Sequence, residues 1–380
     1  MQYYIYTGIL IAFILTYILY LRKSKWNRLI IFGIFFYLFT IGMVLQVIPV
    51  GASVVSERYS YIPYIGILYL IIMIFYQLCT QQRQWMKLKP IFISIFVLYT
   101  LVFTFQSNAR SKVWTNGIQL FTDVVEKYPN NFHGYWIRGT MYCKKKEFKN
   151  AIPEFKEALK KTAPNEPEIW YTLGFSQNKI EEYKNSIISL DNAIRLKPKY
   201  ADALDIRGCS KVAIQEYASG LEDFNLAISI TPNKAEFYDD RGKLFDKTGN
   251  YSDALKDFTK AIKLNPKLVS GYYNRGVTKG KMGNLRDAIV DFNKAIEINP
   301  QHPVAYQNRG TAYAFLKNYT SAIKDFDKAL QLEPNDIKTL RNRGLAKHNT
   351  NDKKGACLDW NKAKELGFEE IEGLINKFCQ

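Results

Sequence analysis

Acidic residues are almost missing from the first 106 positions, where Glu57 is the single one. That scarcity excludes a paired-carboxylate active site there, and it excludes the mixed-sign surface of an ordinary water-facing domain. Histidine is scarce throughout: His133, His302 and His348 are too scattered in sequence for a metal cluster or a base relay. The five cysteines, Cys79, Cys143, Cys209, Cys357 and Cys379, show no C-x-x-C spacing. Cys143, Cys209 and Cys357 are expected to pack as small apolar groups within helices. No glycine-rich phosphate loop and no nucleophile motif is present. The sequence therefore calls for no cofactor, no metal and no catalytic residue. Nucleic acid is also disfavoured, because the net charge of +17 is spread over two unlike regions rather than gathered in one patch.

What is present divides in two. Residues 1–106 carry eight Lys/Arg beside Glu57, and the remainder carries 44 Lys/Arg and 34 Asp/Glu. In the first region four apolar stretches, 3–21, 29–50, 62–79 and 90–106, approach the roughly 20 residues that a helix needs to cross hydrocarbon. They are read as four transmembrane helices. Arg22, Lys23, Lys25 and Arg28 follow the first, and Arg83, Lys87 and Lys89 follow the third. Positive loops stay in the cytoplasm, so the loop between the second and third spans faces out. So does everything after residue 106. That outer loop reads VVSERYSYIPYIG, residues 54–66. Glu57 and Arg58 mark its wet tip, and Tyr59 and Tyr61 suit the interface, where a ring stays apolar while its hydroxyl meets water. Pro63 fits the first turn of the next helix, and Gly66 follows it.

The second region repeats itself every 34 residues. Gly174, Gly208, Gly242, Gly276, Gly310 and Gly344 are evenly spaced, and Gly139 precedes them by one residue more. Sixteen positions after the glycine stand Phe155, Phe224, Phe258, Phe292 and Phe326, with Leu190 in the second unit and Trp360 in the last. An alanine follows three later in every unit, and Pro198, Pro232, Pro266, Pro300 and Pro334 close five of them. This pattern resembles the tetratricopeptide repeat over about 132–368. The resemblance implies helical hairpins stacked into an all-α solenoid of seven repeats. Residues 107–131 form a connector and a half repeat, with Gly117, Phe121, Val124 and Pro129 in phase with later second helices. Residues 369–380 carry a capping helix.

A second regularity concerns charge. The residue before the glycine is Arg138, Arg207, Arg241, Arg275, Arg309 or Arg343, and fifteen after it stands Glu154, Asp223, Asp257, Asp291, Asp325 or Asp359. The second unit has Leu173 and Ser189 instead, losing both charges together. The joint loss predicts an ion pair between the two helices of each unit, setting register at about 0–1 kcal/mol apiece. With a local acid for every arginine, a ladder for a polyanion is the weaker reading.

First helices line the concave face in this fold, and the resemblance implies an extended peptide or a partner helix as ligand. Positions counted from the glycine give an acidic middle of Asp202, Asp205, Glu236, Asp239 and Asp240, with Lys243, Asp246 and Lys247. Tyr273, Asn274, Gln307 and Asn308 come next, then Lys338, Arg341, Asn342 and His348 at a polar, basic end. Asn274, Asn308 and Asn342 can each donate to and accept from a peptide backbone. They can equally link helices of neighbouring units, and both readings stand. The lysine and second asparagine of a carboxylate clamp do not appear together, which speaks against a C-terminal carboxylate as ligand. Asn250-Tyr-Ser and Asn318-Tyr-Thr are glycan-acceptor tripeptides, though both fall at hairpin turns where asparagine is expected anyway.

The order of the parts carries one more resemblance. Glu57, Arg58, Tyr59, Tyr61, Pro63 and Gly66, two further spans, Trp114 and then the repeats resemble the C-terminal half of TMTC-type protein O-mannosyltransferase relatives. That implies a polytopic membrane protein with repeats on the outer side. Such transferases keep acidic catalytic residues in their first outer loop, whereas the first loop here is basic and expected inside. The leading expectation is a membrane-anchored scaffold that binds a protein or peptide partner outside the cytoplasm, in the bacterial cytoplasmic membrane. The alternative is the truncated C-terminal part of a lipid-linked-sugar-dependent glycosyltransferase.

Overall fold

The computed structural model describes residues 116–161 and 165–379, together with positions 90, 91, 94, 97, 98 and 101. Two compact units divide the chain, 1–112 and 113–380. In the first unit the six described residues are helical and exposed. The rest of the four expected spans and the Glu57–Gly66 hairpin lie outside the described residues. Among the described residues no helix is long and apolar enough to cross a membrane.

The second unit is all-α, with sixteen α-helices and no strand among the described residues. Helix α1 (Gly117–Lys127) stands first. Seven hairpins follow: α2 (Phe132–Lys144) with α3 (Phe148–Lys161), α4 (Pro167–Lys179) with α5 (Tyr183–Leu196), and α6 (Ala201–Ala213) with α7 (Tyr217–Ile230). Next come α8 (Ala235–Lys247) with α9 (Tyr251–Leu264) and α10 (Val269–Lys281) with α11 (Leu285–Ile298). The last two are α12 (Pro303–Phe315) with α13 (Tyr319–Leu332) and α14 (Ile337–Asn349) with α15 (Lys353–Glu365). A short 3-10 turn, Glu369–Ile371, leads into α16 (Glu372–Phe378), where the capping helix is expected.

The repeating glycine holds the two helices of a hairpin together. A Cβ at Gly242 would lie 2.7 Å from Phe258 Cε1, and one at Gly276 would lie 2.8 Å from Phe292 Cε1. No real Cβ sits that close, so the aromatic occupies the space that the missing side chain leaves. Phe155, Phe224, Phe258, Phe292 and Phe326 are all at most 2 % exposed. Burying such a ring stabilises by roughly 1.5–3 kcal/mol. Second helices α5, α7, α9, α11 and α13 stop two residues before the five prolines, because the residue ahead of a proline is driven into extended backbone. Asn250 and Asn318 are N-caps, accepting from the backbone N–H of Asp253 and Ser321, which accounts for the two acceptor tripeptides by turn chemistry.

All six expected ion pairs form. Arg138 meets Glu154 at 2.8 Å, Arg207 meets Asp223 at 2.6 Å, and Arg241 meets Asp257 at 2.7 Å. Arg275, Arg309 and Arg343 meet Asp291, Asp325 and Asp359 in the same way. They lie deeper than the surface pairs that the sequence suggested: Asp291 is 2 % exposed and Asp325 5 %. Each arginine also does something unforeseen. Its Nη1 donates to a residue sixteen positions earlier, on the second helix of the preceding unit: Thr122, Asp191, Asn225, Thr259, Asn293 or Asp327. One guanidinium thus spans three helices and two units. In the second unit Ser189 instead donates to Gln177 Oε1 at 2.7 Å, beside the buried Leu173.

One expectation is overturned. Cys357 does not pack as a lone apolar group but is bonded to Cys379, with Sγ atoms 2.05 Å apart. The 3-10 turn and α16 fold back over α15 and bring the two together; the separation of 22 residues carries no recognisable spacing signal.

Candidate functional site

The first helices of the hairpins from α6 to α14 carry the expected groove residues, and these fall into three groups. In the middle, on α6 and α8, carboxylates and lysines interlock. Asp202 pairs with Lys234. Lys243 Nζ bridges Asp239 Oδ2 and Asp240 Oδ1, each at 2.8 Å. Desolvation works against its charge, but Asp240 and Asp239 win and hold the Lys243 ammonium above the usual lysine range. Asp205 is 5 % exposed, and burial, followed by the neighbouring Asp240 carboxylate, pushes its carboxyl well above the ordinary value. Glu236 stands exposed. Asp246 is taken by Lys281 and by Thr278, whose hydroxyl donates at 2.9 Å.

The second group links units. Asn274 donates to Asp239 Oδ1 at 2.9 Å, Asn308 to the Tyr273 hydroxyl at 2.9 Å, and Asn342 to Thr311 Oγ1 at 3.5 Å. All three asparagines therefore reach back to the preceding first helix, the helix-linking reading left open by the sequence. Gln307 reaches forward to Asp336 and Thr339. Tyr273 stacks on His302, with ring centroids 5.1 Å apart. These contacts fix the positions of the amides before any ligand arrives.

The third group is the basic end. Lys338 and Arg341 are exposed and make no ion pair among the described residues. Together with Ile337, Asn342 and Leu345 on α14, and with Phe368, Glu370 and Leu374 from the C-terminal cap, they line a cleft of about 540 Å³. The sequence placed the three polar residues but not the apolar wall opposite, because the cap was expected only to cover the end of the stack. His348, expected in the groove, instead lies 4.2 Å from the Phe378 ring and 6.0 Å from the Trp360 ring, beneath the cap. The hairpin residues Glu57, Arg58, Tyr59, Tyr61, Pro63 and Gly66 lie outside the described residues, and so does the part of the transferase resemblance that rests on them.

Family models for the tetratricopeptide repeat match residues 167–200, 242–283, 269–302 and 303–336. The hairpins that these matches cover are tetratricopeptide repeats. A tetratricopeptide repeat protein from Parabacteroides merdae ATCC 43184 is similar at 22 % identity and a TM-score of 0.50, covering 66 % of this chain and 99 % of that one. The Cut9-Hcn1 hetero-tetramer structure of the APC/C is similar at 17 % identity and a TM-score of 0.56, over 69 % of this chain and 52 % of that one. PilF of Pseudomonas aeruginosa matches at 17 % identity and a TM-score of 0.51, over 56 % of this chain and 97 % of that one. At these identities the likeness is one of fold. No curated protein matches the chain.

Proposed function

We propose that the chain is a membrane-anchored scaffold whose repeats bind an acidic peptide segment with an apolar anchor residue, on the outer side of the membrane. The cleft at the basic end carries this reading. Lys338 and Arg341 form no ion pair among the described residues and outnumber the one acid of the lining, Glu370, while Leu345, Phe368 and Leu374 offer an apolar floor beside them. An anionic side chain and an apolar side chain in neighbouring positions of a peptide satisfy both halves. Because the amides around Asn308 and Asn342 are already tied between units, binding costs little ordering of the groove.

Two observations support the anchor and its sidedness. Ile91, Val97, Leu98 and Leu101 are helical and between 48 % and 63 % exposed, which suits contact with lipid rather than water. The Cys357–Cys379 bond suits an oxidising compartment, since cytosolic thiols are kept reduced. The charged loops of the first 106 residues point the same way.

The binding test uses the full-length chain in detergent with fluorescent acidic peptides that carry one Leu or Phe. Affinity is expected to fall with added salt, and to fall at least about tenfold in Lys338→Glu/Arg341→Glu, since reversing both charges replaces attraction with repulsion. Equal affinity in that double variant removes the cleft from the binding site. For sidedness, Lys145→Cys in a Cys143→Ser/Cys209→Ser background should react with an impermeant maleimide in intact cells. Reaction only after lysis places the repeats inside and overturns the orientation.

A further inference from the structure

Apart from that cleft, the acidic middle of the concave row holds a cluster that peptide binding does not explain. Asp205 and Cys209 lie one helical turn apart on α6, hence on one face. Asp240 comes from α8 of the next unit. One donor atom from each, a carboxylate oxygen or the thiol sulfur, lies within 4.8 Å of the other two. We propose that Asp205, Cys209 and Asp240 form a binding site for a divalent transition metal ion of the zinc class, joining two neighbouring repeats.

Three observations carry the assignment. The first is an orphan. Asp205 is 5 % exposed, and its Oδ1 is sealed from solvent with no hydrogen-bond partner. Buried polar atoms are almost always bonded, so an unpartnered oxygen on a carboxylate that belongs to a cluster of donors points to a missing positive partner. The second is local charge. The close ion pairs of Lys234 and Lys243 go to Asp202, Asp239 and Asp240, and Asp205 has none, although both lysines act on it, and Lys179 acts on Cys209, from farther off. Four carboxylates against two ion-paired lysines leave the cluster on the acidic side, which favours a cation. Lys243 bonds Oδ1 of Asp240, so the other oxygen of that carboxylate remains for a metal.

The third is size and softness. Three points no more than 4.8 Å apart all lie within about 2.8 Å of a common centre, against metal–ligand distances of about 2.0–2.3 Å for zinc. Side-chain movements of about 0.5–0.8 Å close the difference. A thiolate with two carboxylates suits zinc or cobalt(II); calcium and magnesium prefer oxygen alone, and copper(I) prefers sulfur. On binding, the Cys209 S–H gives its proton to water as the metal–sulfur bond forms. Cys143, the other free thiol among the described residues, is hydrogen-bonded to Ser176 at 3.2 Å, whereas Cys209 Sγ has no hydrogen bond among them.

Cobalt(II) provides the test, titrated into the metal-stripped full-length chain. One equivalent should bind, with sulfur-to-cobalt charge-transfer absorption and the visible bands of a four-coordinate ion, and zinc should bleach both. Cys209→Ser should remove the charge-transfer absorption, and Asp205→Asn should weaken binding at least about tenfold with unchanged helix content. Cys143→Ser should leave the spectrum as it was. Failure to bind cobalt at micromolar concentration, or an absorption that survives Cys209→Ser, overturns the site. An affinity unmoved by Asp205→Asn overturns the three-ligand assignment.

Discussion

The hairpin α4–α5 and the hairpin α12–α13 do the same job with different chemistry. In α12–α13, Arg309 bonds Asp325 through both Nε and Nη2, and donates Nη1 to Asn293 of the unit before. In α4–α5 the same two positions hold Leu173 and Ser189, with Ser189 bonded to Gln177. Ser186 adds a bond to the Gly174 carbonyl at 2.8 Å and a contact with Ser210 of the next unit at 2.9 Å. Both arrangements leave the polar side chains at these two positions bonded. The comparison teaches that the gap demands satisfied partners, not charge as such. A buried ion pair is replaceable as a pair and vulnerable one residue at a time.

The largest effect should come from halving the pair where nothing stands in reserve. Arg309→Leu leaves Asp325 buried with no second cation, since position 313 is a tyrosine. A loss of about 3 kcal/mol is expected, read as a lowered urea midpoint of the helix signal. Arg275→Leu should cost less, about 1–2 kcal/mol, because Lys279 Nζ remains 2.7 Å from Asp291 Oδ2. Equal losses in the two variants would break the argument. Removing both charges, as α4–α5 does, sharpens it: Arg309→Leu with Asp325→Ser should lose only about 1 kcal/mol, a coupling of at least about 2 kcal/mol between the sites. Strict additivity of the single changes would show that the two residues do not act together.

The smallest expected effect lies at His302, which caps α12 by accepting the Ala305 N–H on Nδ1. Burial lowers its proton affinity below the ordinary 6.5. The unfolded chain then takes up the proton first as pH falls. Stability contributed here is whole above about pH 6.5 and declines as acid drives the pH toward the lower folded value. Asparagine caps without titrating, so His302→Asn should flatten the change in urea midpoint between pH 7.5 and 5.5. An unaltered slope would assign that dependence to other groups.

Most of this architecture was legible from spacing alone. Gly276 and Phe292 stand sixteen apart because one needs the volume that the other forgoes, and a period of that kind survives in any sequence that keeps the packing. Arg275 and Asp291 were legible for the same reason. The contact sixteen residues before each arginine was not, because Thr122, Asp191, Asn225, Thr259, Asn293 and Asp327 share no residue type, only an oxygen that can accept. The Cys357–Cys379 bond depends on how the cap folds back, which no spacing encodes. The cluster of Asp205, Cys209 and Asp240 joins residues thirty-five apart on two helices, one pace off the repeat period, and so fell between the regularities that the eye follows.

The three-helix reach of each arginine bears on how such an array changes length. Any oxygen acceptor serves at the earlier position, and every arginine carries its own acid sixteen residues onward. A duplication or deletion of 34 codons therefore brings an arginine against a new neighbour that can still receive it. Gene-level slippage by whole arginine-bearing units leaves their seams closed, so the number of such repeats can drift among descendants while the joint between them stays the same.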